Sequence, residues 1–99
     1  MNTHTIPESY IMLRDVPRVD YGTQFNDYNA IADTVSMKRP VLLIQNDCVL
    51  TVGKSILEAF DRLEVAEYTA RSLLETQSIG PLVPIGKSEI NDLERKFFS

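Results

Sequence analysis

The segment VLLIQNDCVLTV, residues 41–52, is the feature that most constrains the fold. VLLIQ (41–45) is a continuous apolar run, which is typical of a central strand buried on both faces. CVLTV (48–52) predicts a second strand. Only Asn46 and Asp47 separate the two runs, and such a short polar linker favours a tight hairpin. The usual Asn-Gly or Asp-Gly pair is absent, so we expect an irregular turn.

A long amphipathic helix is predicted directly after this hairpin. Ser55 and Glu58 match the capping box S-x-x-E, which marks a helix N-terminus. Apolar residues then recur every three or four positions and predict a face that packs against the core: Ile56, Ala59, Phe60, Leu63, Ala66, Ala70, Leu73 and Leu74. Two strands and a long helix predict an α/β (or α+β) fold, in which helices pack on a small sheet.

The remaining segments predict shorter elements around this unit. We expect a tail at 1–5, a helix or a strand at 6–13, a short strand at 16–22, a helix at 26–40 that Asn26 or Thr23 caps, and a last helix from Ser88. A chain of 99 residues is short enough that a single domain, residues 1–99, is expected.

Composition argues against several classes of function. The net charge is −4 with no basic stripe, which argues against nucleic acid as a partner. No apolar run approaches the length of a membrane span, and the start MNTHTIPESY lacks the pattern of a secretory signal. Cys48 is the single cysteine, so no internal disulfide can form, and a reducing, cytoplasmic setting is expected.

The tripeptide GKS at 53–55 resembles the end of a phosphate-binding loop and suggests a nucleotide-binding module. Such a loop needs the pattern G-x-x-x-x-G-K-[ST], because two glycines let the backbone amides wrap a phosphate. The first glycine of that pattern falls on Cys48, and for the second GKS, at 86–88, it falls on Pro81. Both matches fail, so we interpret each GKS as a turn and a helix N-cap.

The run VLLIQNDCVLTVGKSILEAFDRLEVAEYTAR, residues 41–71, resembles the class II aldolase and adducin family, whose members carry a segment like vLLrnHGvvtvGktleEAf-r-evlE-aA. The matching residues are Val41, Leu42, Leu43, Asn46, Val52, Gly53, Lys54, Glu58, Ala59, Phe60 and Glu67. Upstream, DVPRVDYGT (15–23) resembles the family's vPvvpYgppGs, and AIADTV (30–35) resembles the helix after it. The resemblance extends over nearly the whole chain.

This resemblance implies the C-terminal half of an αβα sandwich with a mainly antiparallel sheet. Family enzymes, among them fuculose-phosphate aldolases, cleave or form carbon–carbon bonds in sugar phosphates. They use zinc or a similar divalent ion, which polarises the substrate and stabilises the enediolate. Three histidines hold the metal, two from an H-x-H motif and one from the nHG motif. Adducin is a non-enzymatic member. The half that this chain lacks normally supplies the H-x-H motif, the phosphate-binding loop and the acidic catalytic residue.

The chain departs from the family at the metal site. Asp47 stands where the third metal-binding histidine is expected, and Cys48 stands at the following glycine. Asp47 can ligate zinc, but one carboxylate cannot hold a catalytic zinc ion, which needs about three protein ligands. The alternative interpretations are a polar turn residue for Asp47 and a small buried apolar residue for Cys48. His4, the single histidine, lies in the predicted tail.

Tyr10 is the other candidate site residue. Its segment IPESYIM resembles the one that carries a proton-donating tyrosine in fuculose-phosphate aldolases. The alternative is an aromatic side chain that packs at the edge of the sheet.

Two functions from different classes follow from the resemblance. The first is a class II aldolase/adducin-like domain without catalysis of its own, which acts as an assembly or interaction module and needs no cofactor. The second is a zinc-dependent aldehyde-lyase that acts on a sugar phosphate, provided that a longer product or a partner chain supplies the missing half. We expect a homo-oligomer or a partner chain that completes the sheet, because an open sheet exposes strand edges and apolar faces.

Overall fold

The computed structural model describes residues 1–98, and in this range it contains five helices and three strands. In chain order they are α1 (Pro7–Leu13), β1 (Arg18–Val19), α2 (Thr23–Asn26), α3 (Tyr28–Thr34), β2 (Val41–Ile44), β3 (Cys48–Thr51), α4 (Ile56–Thr76) and α5 (Lys87–Phe97). None of these helices has both the length and the apolar character that crossing a membrane requires.

The three strands form one sheet in the order β1-β2-β3. β2 is the central strand, as predicted, and its Val41 and Leu42 are fully buried. It pairs in parallel with β1 and antiparallel with β3, so the sheet is mixed where the resemblance implies a mainly antiparallel one. The predicted α/β fold of helices around a small sheet is confirmed.

The hairpin between β2 and β3 is irregular, as expected. Ile44 pairs with Cys48, so the loop holds three residues, Gln45–Asp47, and not the predicted two. The Asp47 amide donates to the Ile44 carbonyl at 3.1 Å and closes the turn. Asn46 has a φ of 60°, in the left-handed region that asparagine tolerates better than most residues.

The start of α4 is fixed by backbone and side-chain contacts around the GKS tripeptide. Ser55 Oγ accepts a hydrogen bond from the Glu58 amide at 3.1 Å, which confirms the predicted N-cap. Glu58 Oε1 in turn accepts from the Lys54 amide at 2.8 Å, one residue before the capping serine. This hydrogen bond, helped by the Arg62 guanidinium, holds the pKa of the Glu58 carboxyl below its usual value. A Cβ on Gly53 would lie 2.7 Å from the Ala59 nitrogen, so only glycine fits here.

The face of α4 that packs against the core differs from the predicted one. Four of the eight residues of the predicted apolar stripe are exposed, among them Ile56 at 90% and Phe60 at 53%, and only Ala66 is buried. The buried face is rotated about the helix axis toward Thr69, because α4 packs on α1 as well as on the sheet. Leu13, Val41 and Ala66 form the core cluster where α1, β2 and α4 meet.

Two polar contacts tie α4 to α1. The Arg62 side chain donates from Nε to the Met12 carbonyl at 3.1 Å and from Nη1 to the Val52 carbonyl at 2.7 Å. The hydroxyls of Ser9 and Thr69 form a buried hydrogen bond of 2.6 Å across the helix interface. Because these groups all have partners, the polar side chains do not weaken the packing of the two helices.

The prediction of a tail at residues 1–5 is wrong. Thr3 is 1% exposed, and its hydroxyl donates to the Arg14 carbonyl at 2.6 Å. The His4 carbonyl accepts a hydrogen bond from the Ile85 amide, so the segment packs between α1 and the stretch that precedes α5. Of the two alternatives for residues 6–13, the helix is correct.

The single helix predicted at 26–40 is two short helices and a turn. Neither Asn26 nor Thr23 caps α3; Asp27 does, through Oδ1, which accepts from the Ala30 amide at 3.0 Å. A helix that Asp27 starts cannot be continuous with α2, because the cap residue is not helical. The last helix, α5, begins at Lys87 without a side-chain cap.

Candidate functional site

Asp47 lies in the hairpin turn, close to the edge of the sheet. Its carboxylate accepts a hydrogen bond from Gln24 Nε2 at 2.8 Å and links the turn to α2. Both Asp47 and the neighbouring Cys48 are exposed. Cys48 begins β3 as predicted, but the expectation of a small buried residue there is wrong. The turn position agrees with the interpretation of Asp47 as a polar turn residue, and its role as a metal ligand stays a prediction.

Tyr10 lies in the middle of α1, away from the sheet edge where the alternative interpretation places it. Its ring is 3% exposed and packs between His4, with ring centroids 4.8 Å apart, and Phe98, at 5.3 Å. Its hydroxyl donates to Glu94 Oε1 on α5 at 2.7 Å. Burial, followed by the hydrogen bond to Glu94 and the negative charge of that carboxylate, raises the pKa of Tyr10 to about 12.

The two candidate residues have different partners on different elements. Tyr10 joins α1 to α5, and Asp47 joins the hairpin to α2. Among residues 1–98, no group of three or more His, Cys, Asp or Glu side chains is placed to hold a metal ion. A catalytic zinc ion needs about three protein ligands, so the donors within these residues do not fit one by themselves.

The alkaline stability of the protein is expected to depend on Tyr10. The folded state keeps this phenol protonated up to a pKa of about 12, against 10.0 for an unperturbed tyrosine. A group whose pKa is raised on folding contributes its full stabilisation of the folded state below the unfolded pKa. That contribution is lost as the pH rises through the folded pKa. The free energy of unfolding of the wild type, measured in urea, is therefore expected to fall progressively as the pH rises from 10.0 to about 12. Tyr10→Phe should show a shallower decline there, and an equal decline in both proteins would contradict the assignment.

An apolar groove is lined by residues of α4 and of the edge strand β3. It has a volume of about 370 Å³, and apolar side chains form most of its lining: Met1, Val49, Leu63, Ala66 and Ala70. Leu63 and Val49 are 42% and 37% exposed. Phe60 and Ile56 continue the apolar surface toward the start of the helix, because positions 56, 60 and 63 share one helix face.

The sequence model described as the class II aldolase and adducin N-terminal domain matches residues 2–74. The chain belongs to the class II aldolase and adducin family. No curated protein and no solved structure matches the chain. The family match confirms the resemblance that the strand–turn–strand–GKS–helix segment carries. The correspondence to the C-terminal half of the fold, and the replacement of the metal-binding histidine by Asp47, stay predictions.

The family match runs from the first residues through most of α4, and α5 lies outside it. Sequence reasoning missed the partners of Tyr10 in this class II aldolase/adducin domain, since Glu94 is 84 positions away. It also missed the contact of His4 Nε2 with Asp15 Oδ1, 3.0 Å apart. No local pattern links these residues, because Tyr10 and Glu94 meet through the packing of α5 on α1, and His4 and Asp15 meet across the two ends of α1.

Proposed function

We propose that this class II aldolase/adducin domain is an assembly module without catalysis of its own, and that it pairs with a second copy of itself. The observation that carries the proposal is the apolar groove beside β3, together with the exposed face of α4 that continues it. A contiguous apolar patch on a small protein marks an interaction surface more often than a solvated one.

The edge strand β3 favours a second copy as the occupant. In the part of the chain that the structure describes, β3 pairs only with β2, so its outer edge faces away from the sheet. An exposed strand edge is a template for pairing with another strand. Two copies of β3 related by a two-fold axis perpendicular to the strands would run antiparallel, and both copies would present the same groove to each other. This is the self-complementary arrangement that most homodimers use.

The donor set supports the absence of catalysis. Asp47 has a hydrogen-bond partner in Gln24, and among residues 1–98 no group of three or more His, Cys, Asp or Glu side chains is placed to hold a metal ion. Tyr10 is buried and bonded to Glu94, so its hydroxyl is not presented to a substrate at the hairpin. The alternative, a zinc-dependent aldehyde-lyase for a sugar phosphate, needs ligands from a partner chain or from a longer product.

Light scattering coupled to gel filtration tests the assembly. The wild type is expected to have twice the monomer mass at micromolar concentration. Val49→Lys and Leu63→Glu are expected to shift it to the monomer, because both place a charge in the groove and Val49→Lys also places one at the strand edge. Ile79→Glu is the matched control: it also charges an exposed apolar side chain, 84% exposed, but lies beyond the end of α4.

A monomeric wild type would contradict the proposed pairing surface. So would a shift to the monomer in Ile79→Glu as large as the shift in the two groove variants. Circular dichroism of each variant separates loss of association from loss of folding. Incubation of the wild type with zinc and a sugar phosphate tests the proposal that the domain has no catalysis of its own. Stoichiometric zinc binding with cleavage of the phosphate ester's carbon chain would favour the aldehyde-lyase and overturn the proposal of a non-catalytic module.

A further inference from the structure

A second cavity lies on a different part of the surface, at the C-terminal end of α1. It has a volume of about 280 Å³ and is lined by Tyr10, Arg14, Asp15, Lys38, Arg39 and Phe98. Three of the ten Lys and Arg residues of the chain meet here, although the chain as a whole has a net charge of −4. The cavity is therefore locally positive on a negatively charged protein.

Asp15 offsets one of the three positive charges of this cavity, but no acid within residues 1–98 forms an ion pair with any of the three cations. The ion pairs within residues 1–98 are Asp15–His4, Glu58–Arg62, Glu67–Arg71 and Asp92–Arg95. None of them includes Arg14, Lys38 or Arg39. Asp15 is the one acidic residue in the lining, and His4 is already its partner. The three positive groups therefore remain available to an anion from solution.

The backbone holds Arg14 in a strained conformation at this site. Its φ is 56°, in the region that side-chain-bearing residues rarely adopt. The Thr3 hydroxyl donates to its carbonyl, and its amide donates to the Tyr10 carbonyl at 2.8 Å. The guanidinium carbon lies 4.0 Å from the centroid of the Phe98 ring. A guanidinium that packs against an aromatic ring keeps N–H groups that can donate in its own plane to a phosphate.

Lys38 and Arg39 are presented by a closed turn. The Ser36 and Arg39 backbones exchange two hydrogen bonds, of 3.0 Å and 3.1 Å, and Ser36 Oγ accepts from the amides of both cationic residues. Pro40 is fully buried and continues directly into β2. The backbone of the turn is therefore anchored to the core, and it places both cationic residues in the lining of the cavity together with Arg14.

We propose that this cavity binds a small molecule that carries a phosphate group, with the Arg14 guanidinium as the planar ligand and Lys38 and Arg39 as the second and third positive contacts. Three cations around one cavity suit a dianion better than a single carboxylate, since each can donate to a separate phosphate oxygen. The volume is near the lower limit for small-molecule pockets, roughly 300 Å³, so the ligand is inorganic phosphate or a short phosphate ester. This inference does not depend on the proposed assembly.

Isothermal titration of the full chain with inorganic phosphate, and separately with glycerol phosphate, tests the site at constant ionic strength set by chloride. Saturable binding of one equivalent is expected in the millimolar range or tighter. Lys38→Ala/Arg39→Ala is expected to weaken it by about 10-fold or more, the usual effect of removing hydrogen bonds to a charged group. Arg14→Lys keeps the charge but loses the planar fork, and should also weaken binding. Arg71→Ala, which removes an exposed charge on α4, is the matched control.

Tighter binding of glycerol phosphate would identify an organic ligand, and tighter binding of inorganic phosphate would identify the free ion. Either result supports the site. A binding heat that does not saturate with phosphate concentration would overturn the proposed site. So would an equal loss of affinity in Arg71→Ala and in the double variant, because both results indicate general attraction of anions. The double variant alters two exposed side chains, so circular dichroism is expected to show an unchanged fold.

Discussion

Leu13→Ala is expected to destabilise the protein by about 2–5 kcal/mol, the range for truncation of a fully buried leucine. Leu13 is 0% exposed and belongs to the core cluster with Val41 and Ala66. The three come from α1, β2 and α4, so a cavity at Leu13 weakens the contact of all three elements. A domain of this size has about 5–15 kcal/mol of total stability, so the loss is a large part of it.

Urea unfolding followed by circular dichroism measures this loss, at one fixed protein concentration because association adds to apparent stability. Leu74→Ala is the control, since it removes the same atoms from an α4 leucine that is 67% exposed. Its effect should be less than about 1 kcal/mol, because surface changes are usually small. Equal effects of the two substitutions would show that Leu13 is not at the centre of the core.

Arg62→Ala is expected to cost about 2–3 kcal/mol, the value of hydrogen bonds to a charged group whose partners are then left unpaired. The Arg62 side chain is 11% exposed and donates to the Met12 and Val52 carbonyls as well as to Glu58. It therefore ties α4 to α1 and to the residue that follows β3. Its replacement removes these contacts together.

Arg71→Ala is the matched comparison for Arg62. Both arginines pair with a glutamate four residues earlier on α4, but the Arg71 side chain is 68% exposed. An exposed pair of this kind contributes about 0.3–0.5 kcal/mol. Arg62→Lys is expected to recover only part of the stability, because an ammonium cannot occupy the Nε and Nη positions at once. If Arg62→Ala and Arg71→Ala unfold at the same urea concentration, the contacts of Arg62 with the two carbonyls carry no stability.

The parts of the fold that sequence patterns predicted are those with local signals. The apolar run from Val41 and the polar linker at Asn46 predicted the hairpin, and Ser55 predicted the start of α4. The buried face of α4 was predicted wrongly, because a periodic pattern does not show that Arg62 and Thr69 face α1. The periodicity instead followed an apolar stripe that is half exposed and that includes the surface proposed for self-association.

The residues of the candidate site likewise separate into those with a local sequence signal and those brought together only by tertiary packing. The position of Asp47 in a turn was predicted from its neighbours in sequence. The partners of Tyr10 were not, since Glu94 reaches it only after α5 has docked. Lys38 and Arg39 were interpreted as the C-terminal residues of a helix, whereas they lie in a turn that faces Arg14. Groups brought together by tertiary packing leave no spacing signal in the chain.

The docking of α5 on α1 has a consequence for synthesis of the protein. The Tyr10–Glu94 contact spans 84 positions, and closing so long a loop is slow compared with forming a local contact. While a ribosome is still extending the chain, Tyr10 and the surface of α1 around it lack the cover that α5 provides. The hairpin and α4, by contrast, have local partners and can form earlier. Until α5 docks, this part of α1 therefore stays open to chaperones and to aggregation.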